Sequence, residues 1–261
     1  MRINSRDFTL AKYRSLLEAL LEAGYKFMRF DEHNSLKDSQ KTAFIRHDID
    51  ARPTNASRLA EVEATYGIRG SYYFRAGEKL FNTAAISFIE ELGHEIGYHY
   101  ENMDTCSGLI DEAYKDFVEN LEKFRSVVAI NTICMHGSPL SRWNNIDLWN
   151  RYSYHDLGIR LEVFRDIDYT SSLYLTDTGR SWNGGGSILR DKVVSDVHAG
   201  YKKTDDIIFD ASCLTERLYL TVHPQRWTDD YFMWILELVS QSIKNPAKYI
   251  LRKYRSGVLL T

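Results

Sequence analysis

The residues best suited to chemistry fall in one short run, FIRHDID (44–50). It begins as an apolar strand and closes with His47, Asp48 and Asp50. Side chains two apart in a strand share a face, so Asp48 and Asp50 are expected side by side. Two carboxylates so placed repel each other, and stability alone would not select them. A divalent cation beside them removes the repulsion: one carboxylate ligates and the other stays free as a base. The competing reading makes them turn or capping residues ahead of Pro53. Histidines supply the other ligands such a site needs. Four predicted strands end in HDID, YHYEN, MHGSP and VHPQRW, and together they hold five of the eight histidines. Mixed Asp/His ligation with one open position suits catalytic zinc and related transition metals. Such an ion makes water a nucleophile near neutral pH.

The elements that must position these residues alternate between strand and helix. Tyr13, Leu16, Leu17, Leu20 and Leu21 follow helical spacing, and Gly24 stops that helix. Strands are predicted at 25–30, 42–49, 71–75, 94–100, 129–136 and 217–223. Helices are predicted between them: one opens at Pro53 and ends at Gly67, one carries Ala85, Phe88, Ile89 and Leu92, and one carries Tyr114, Phe117, Val118 and Leu121. A last helix places Tyr231, Trp234, Ile235, Leu238 and Val239 on one face. The stretch 140–200 is less regular. Strand–helix alternation of this kind argues for a parallel sheet, open or closed into a barrel, with the chemistry at the C-terminal ends of the strands.

Composition narrows the function classes. The 261 residues are 44% apolar and 26% charged, enough for a sizeable core. A net charge of −3 favours neither nucleic acid nor an anionic membrane as partner. Cys106, Cys134 and Cys213 form no CxxC pair and read as reduced thiols. No signal peptide and no run of 18 apolar residues occurs, so no membrane span and a cytoplasmic location are expected. No linker or repeat divides the chain, so residues 1–261 read as one domain. The basic, aromatic stretch KNPAKYILRKYR near the C-terminus reads as a packed helix with a solvated face.

Five segments in order resemble the polysaccharide deacetylases of the NodB-homology class, carbohydrate esterase family 4, and within it the WbmS-like branch found with O-antigen genes. They are FIRHDID (44–50), GHEIGYHYEN (93–102), HGSP (136–139), YLTDTGRSWN (174–183) and LTVHPQRW (220–227). The resemblance implies a distorted (β/α) barrel and metal-dependent removal of an N- or O-acyl group from a sugar. It implies Asp48 as general base, Asp50 and His99 as metal ligands, and His223 as general acid. The chain departs from the pattern twice. Met103 stands where the second motif carries a further His, so the third ligand is assigned to His136, with Glu101 as alternative. Gly137 stands where an arginine would orient the base, a role left to Arg180 or Arg75. Asp177 is the expected carboxylate partner of His223. Arg226 and Trp182 are candidates for substrate contact, Trp182 equally for the core. His47, on the opposite side of its strand, is expected to bond a neighbouring loop or to back the site.

The reading is therefore a metal-dependent deacylase with one divalent ion, zinc foremost, acting on an acylated saccharide precursor of surface polysaccharide. Two rivals are a catalytically silent sugar-binding or assembly protein on the same barrel and a hydrolase of small non-sugar amides.

Overall fold

The computed structural model describes residues 6–36, 40–138, 141–182 and 193–255. Eight strands form one sheet: β1 (Lys26–Met28), β2 (Thr42–Ile49), β3 (Ser71–Phe74), β4 (Glu95–Tyr100), β5 (Thr132–Met135), β6 (Leu161–Glu162), β7 (Leu173–Thr176) and β8 (Arg217–Val222). The order is β6-β5-β4-β3-β2-β8-β7, and β1 joins the N-terminal half of β2 on the edge whose C-terminal half pairs with β3. Every pairing is parallel, and the sheet curls into an incomplete, distorted (β/α) barrel. The helices are α1 (Leu10–Glu22), α2 (Pro53–Thr65), α3 (Thr83–Glu91), α4 (Asn102–Thr105), α5 (Ile110–Arg125), α6 (Thr204–Asp210) and α7 (Tyr231–Arg255). Among the described residues no helix is long and apolar enough to cross a membrane, and no disulfide links the three cysteines.

Local sequence accounts for the helices that flank the site. Thr9 caps α1 by accepting from the Lys12 N–H at 3.1 Å, and Asn82 caps α3 by accepting from the Ala85 N–H at 2.9 Å. Pro53 opens α2, where its missing N–H costs nothing.

Alternation along the strands separates two layers. Odd positions of β2 (Ala43, Ile45, Ile49) and the outward residues of β3, β4 and β8 pack against the helices in two apolar clusters. Even positions point inward, where Phe44, Tyr73, Cys134, Leu161 and Tyr219 form a third cluster that fills the barrel floor. Gly97 is required there: a Cβ at that position would lie 2.3 Å from the Tyr73 ring. Asp48, His99 and His223 sit above this floor, at or just past the strand ends.

His47 faces the other way. Its Nε2 lies 2.6 Å from Glu63 of α2, and its ring stacks on Tyr72 at 4.0 Å. Glu63 is fully buried and also accepts from the hydroxyls of Tyr13 and Tyr72. Burial pushes its pKa up, but His47 outweighs that and holds it below the ordinary 4.5. His47 thus bonds a helix behind the sheet rather than a loop or the site. Removing Glu63 strands a buried imidazole and two hydroxyls, so Glu63→Ala is expected to lower stability by about 3–5 kcal/mol in urea unfolding at pH 7. A carboxyl with a lowered folded pKa stabilises above its unfolded value, and that contribution is lost as pH falls through the folded one. The gap between parent and variant should therefore close in acid. An equally wide gap there would remove Glu63 from this role.

The stretch 140–200 is less regular, as expected, but it supplies β6 and β7, strands only two and four residues long. The last helix forms, but Tyr231 and Val239 stay 62% and 51% exposed, while Glu237 and Gln241 are buried. α7 therefore turns polar side chains inward, toward the cavity described below. Pro139, Asn183 and the side chains of 247–255 in the basic C-terminal stretch lie outside the described residues.

Candidate metal and catalytic site

Arg46 and Asp48 alternate on the inner side of β2, and Asp50 follows just past its end. Arg46 is 1% exposed, and its Nη2 donates to Asp48 Oδ2 at 3.0 Å while its Nε lies 3.0 Å from Oδ1. The guanidinium also sits 4.7 Å over the Phe164 ring, which fixes its plane. Burial alone would raise the Asp48 pKa. Arg46, then His99 and His223, outweigh it, and the carboxyl is held below 3.8. Asp48 is therefore held ionised, aimed and neutralised by a neighbour two residues earlier.

Asp50 turns its Oδ1 toward two imidazoles, 3.7 Å from His99 Nε2 and 3.5 Å from His136 Nε2. The ligand atoms of Asp50, His99 and His136 all lie within 4.8 Å of one another. The far nitrogen of each ring is engaged. His99 Nδ1 lies 2.9 Å from the Cys134 carbonyl, which can only accept, so this nitrogen carries the proton and Nε2 keeps its lone pair. Burial lowers the His99 pKa, which favours the neutral ring. His136 Nδ1 lies 3.3 Å from Glu101 and 2.9 Å from Ser138 Oγ. Burial pulls His136 down, but Asp50 and Glu101 outweigh it and raise its pKa.

The Nε2 atoms of both rings therefore face one carboxylate oxygen that is buried and accepts no hydrogen bond. A divalent cation fits that donor set, since one anionic oxygen and two neutral nitrogens suit zinc and its neighbours. Asp48, His99 and Cys134 form a second close group, but Asp48 already spends its charge on Arg46. Glu101 is less suited to ligate directly: Arg75 Nε donates to Oε1 at 2.9 Å and Nη2 to Oε2. It backs His136 instead, and its carboxyl is held at about 2, burial being outweighed by His136 and Arg75. Partners placed this way typically change metal affinity 10–100-fold. Glu101→Gln is thus expected to weaken binding by about that factor in a competition titration, and an unchanged affinity would show that His136 needs no such support.

On the other side of Asp50 stands His223, its Nε2 3.8 Å from Oδ2. Its Nδ1 lies 2.6 Å from Asp177 Oδ1, and its backbone N–H donates to Oδ2 at 3.0 Å. Asp177 is fully buried and also accepts from Arg226 and from Trp227 Nε1 at 2.8 Å. Burial would raise its pKa; Arg226 and His223 bring it down to about 2. An ionised Asp177 locks the His223 ring with Nε2 toward the site.

The structure brings Asp48, Asp50, His99, His136, His223 and Asp177 together, with Glu101 and Arg75 behind them. Neither candidate for the base-orienting arginine reaches Asp48. The Arg180 guanidinium lies 4.8 Å over Phe8 and 4.9 Å over Trp234, and Arg75 is clamped to Glu101. The expected charge comes from Arg46, which strand alternation already placed on the Asp48 face. Trp182 is no sugar wall: it is 1% exposed and donates from Nε1 to Thr204 at 2.9 Å. Arg226 is paired with Asp177 and lines the cavity beside Asp50. Met103 is buried in an apolar cluster. The Cys134 carbonyl and Ser138, which orient the two imidazoles, had no signal in the sequence. A cavity of about 360 Å³ opens beside Asp50, lined by Arg52, Gln225, Arg226 and the Leu236, Glu237, Gln241 and Lys244 side of α7.

No family model and no curated protein matches the chain. Among solved structures it is similar to PdaA of Bacillus subtilis, a family 4 carbohydrate esterase (12% identity, TM-score 0.45, covering 87% of this chain and 83% of that one). It is also similar to the peptidoglycan deacetylase PdaC of Bacillus subtilis (11%, 0.42, 84% and 100%). A third is a CE4-family pseudoenzyme of Bacillus anthracis (10%, 0.44, 78%), of which the chain spans 63% of the length.

Proposed function

We propose that this protein is a metal-dependent deacylase that hydrolyses an N- or O-acyl group on a sugar, a saccharide precursor of surface polysaccharide. The observation that carries the reading is the triple Asp50, His99 and His136 beside an arginine-clamped Asp48, with the Asp177–His223 pair on the opposite side. One carboxylate is engaged as a base and a second left as an open ligand, which is the division of labour that hydrolysis at a metal needs.

Asp50, His99 and His136 would hold the ion. When bound, it supplies Lewis acidity, drawing electron density from a carbonyl and making water a better nucleophile. Asp48 accepts the proton of the attacking water, and Arg46 keeps it ionised for that purpose. The Cys134 carbonyl and Glu101 keep the two imidazoles turned with their lone pairs inward. His223 Nε2 delivers a proton to the departing nitrogen or oxygen, and Asp177 stabilises the imidazolium that does so. Asp48 and His223 are separate groups on neighbouring strand ends beside Asp50, so a substrate carbonyl seated over Asp50 meets a base and an acid that are not the same residue.

The test is metal content joined to turnover. The purified protein is expected to bind about one divalent ion per chain and to release acetate from an acetylated sugar. Asp50→Ala removes the single anionic ligand and should abolish both. Full metal occupancy in that variant would remove Asp50 from the site. A metal-loaded parent that releases no acyl group from sugars or from small amides would favour the silent sugar-binding protein.

A further inference from the structure

The cavity beside Asp50 holds polar groups that the proposed hydrolysis does not use. Arg52 lines it from the turn between β2 and α2. Its backbone is left-handed (φ 52°, ψ 65°), unusual for a residue with a long side chain, and its Nη1 is enclosed without a hydrogen-bond partner. Arg52 is also the N-cap of the 13-residue helix α2 and gives it no side-chain cap. Lys244 of α7 lines the same cavity. Among the described residues no carboxylate pairs with Arg52 or Lys244. Gln225 and Gln241, only 7% and 6% exposed, each leave Oε1 without a partner in this lining. The remaining charges are accounted for. Arg226 is bound to Asp177, Asp50 faces the imidazoles, and Glu237 accepts from Gln241 Nε2 at 2.8 Å and is attracted by Arg180.

We propose that this cavity is an anion subsite that reads a phosphate on the sugar, so that the substrate is a glycosyl phosphate or diphosphate rather than a neutral glycan. This rests on the deacylase reading and gives its substrate a class. The acyl group sits over Asp50, the buried glutamines take sugar hydroxyls, and the phosphate lies between Arg52 and Lys244. Two uncommitted cations match a dianion better than the single charge of a uronic acid carboxylate.

Binding of three probes to the metal-loaded full chain tests this by calorimetry: N-acetylglucosamine, its 1-phosphate and its UDP-linked form. The phosphorylated sugars are expected to bind at least about tenfold tighter than the neutral one. Arg52→Gln and Lys244→Gln should each erase most of that preference, with metal content and neutral-sugar affinity unchanged. Comparing the UDP-linked sugar with a short-chain prenyl-linked one tells a nucleotide carrier from a lipid carrier. Equal affinity for neutral and phosphorylated sugar would overturn the subsite. So would a preference that survives the double substitution, because the phosphate would then be on the metal, and so would glucuronic acid binding as tightly as the phosphate. The measurement needs no turnover. A protein that prefers the phosphorylated sugars but deacylates none of them would refute the reaction and leave the anion subsite standing.

Discussion

Asp48→Asn is expected to lower kcat by on the order of 10²–10⁴-fold on an acylated sugar while leaving about one metal ion per chain. The amide keeps the shape of the carboxylate but cannot take a proton. Asp50, His99 and His136 would hold the ion without it, so metal content separates loss of the base from loss of the site. The substitution also leaves the buried Arg46 without a counterion, and the variant should unfold earlier in urea. Arg46→Met gives the companion result. Without the guanidinium, the burial that pushes Asp48 up is opposed only by His99 and His223. The carboxyl pKa rises, the base stays protonated to higher pH, and the acidic limb of the kcat/KM profile should move upward. A profile unmoved by Arg46→Met would mean that Asp48 is not the group that sets that limb. Near-parent turnover by a metal-loaded Asp48→Asn would end its role as base.

His223→Ala is expected to cost a similar ~10²–10⁴-fold on an amide substrate, again with metal retained. The choice of leaving group sharpens the test. An amine must be protonated as it leaves, whereas a nitrophenolate departs without help. An activated acetyl ester should therefore lose little rate in His223→Ala and nearly as much as the amide in Asp48→Asn. Equal losses on both substrates in His223→Ala would assign the histidine to binding or folding instead. Asp177→Asn should resemble His223→Ala in this pattern, because Asp177 fixes which ring nitrogen faces the site. It should also be less stable, since Arg226 and Trp227 lose the same carboxylate.

By itself the sequence determined the architecture of the strands and the approximate position of the chemistry. TAFIRHDI is β2 to the residue, and the other strands foreseen at 71, 94, 129 and 217 appear within a few positions, because apolar runs bounded by glycine and polar turns carry their own length. His99, His136 and His223 converge for the same reason: in an all-parallel sheet the C-terminal ends share one rim. Arg46 was legible too, since alternation places it with Asp48, although the family motif places the orienting arginine elsewhere, which pointed to Arg180 and Arg75. Only the tertiary structure decided the rest. β6 and β7 are too short to show a period and exist through their neighbours. Which nitrogen of His99 is protonated depends on a carbonyl of the adjacent strand, and carbonyls are the same in every residue. Glu101 stands behind His136 because Arg75, 26 residues earlier in sequence, reaches it from the next strand. Trp182 and the inward turn of Glu237 and Gln241 on α7 follow from what packs against them, and distant packing leaves no trace in local composition.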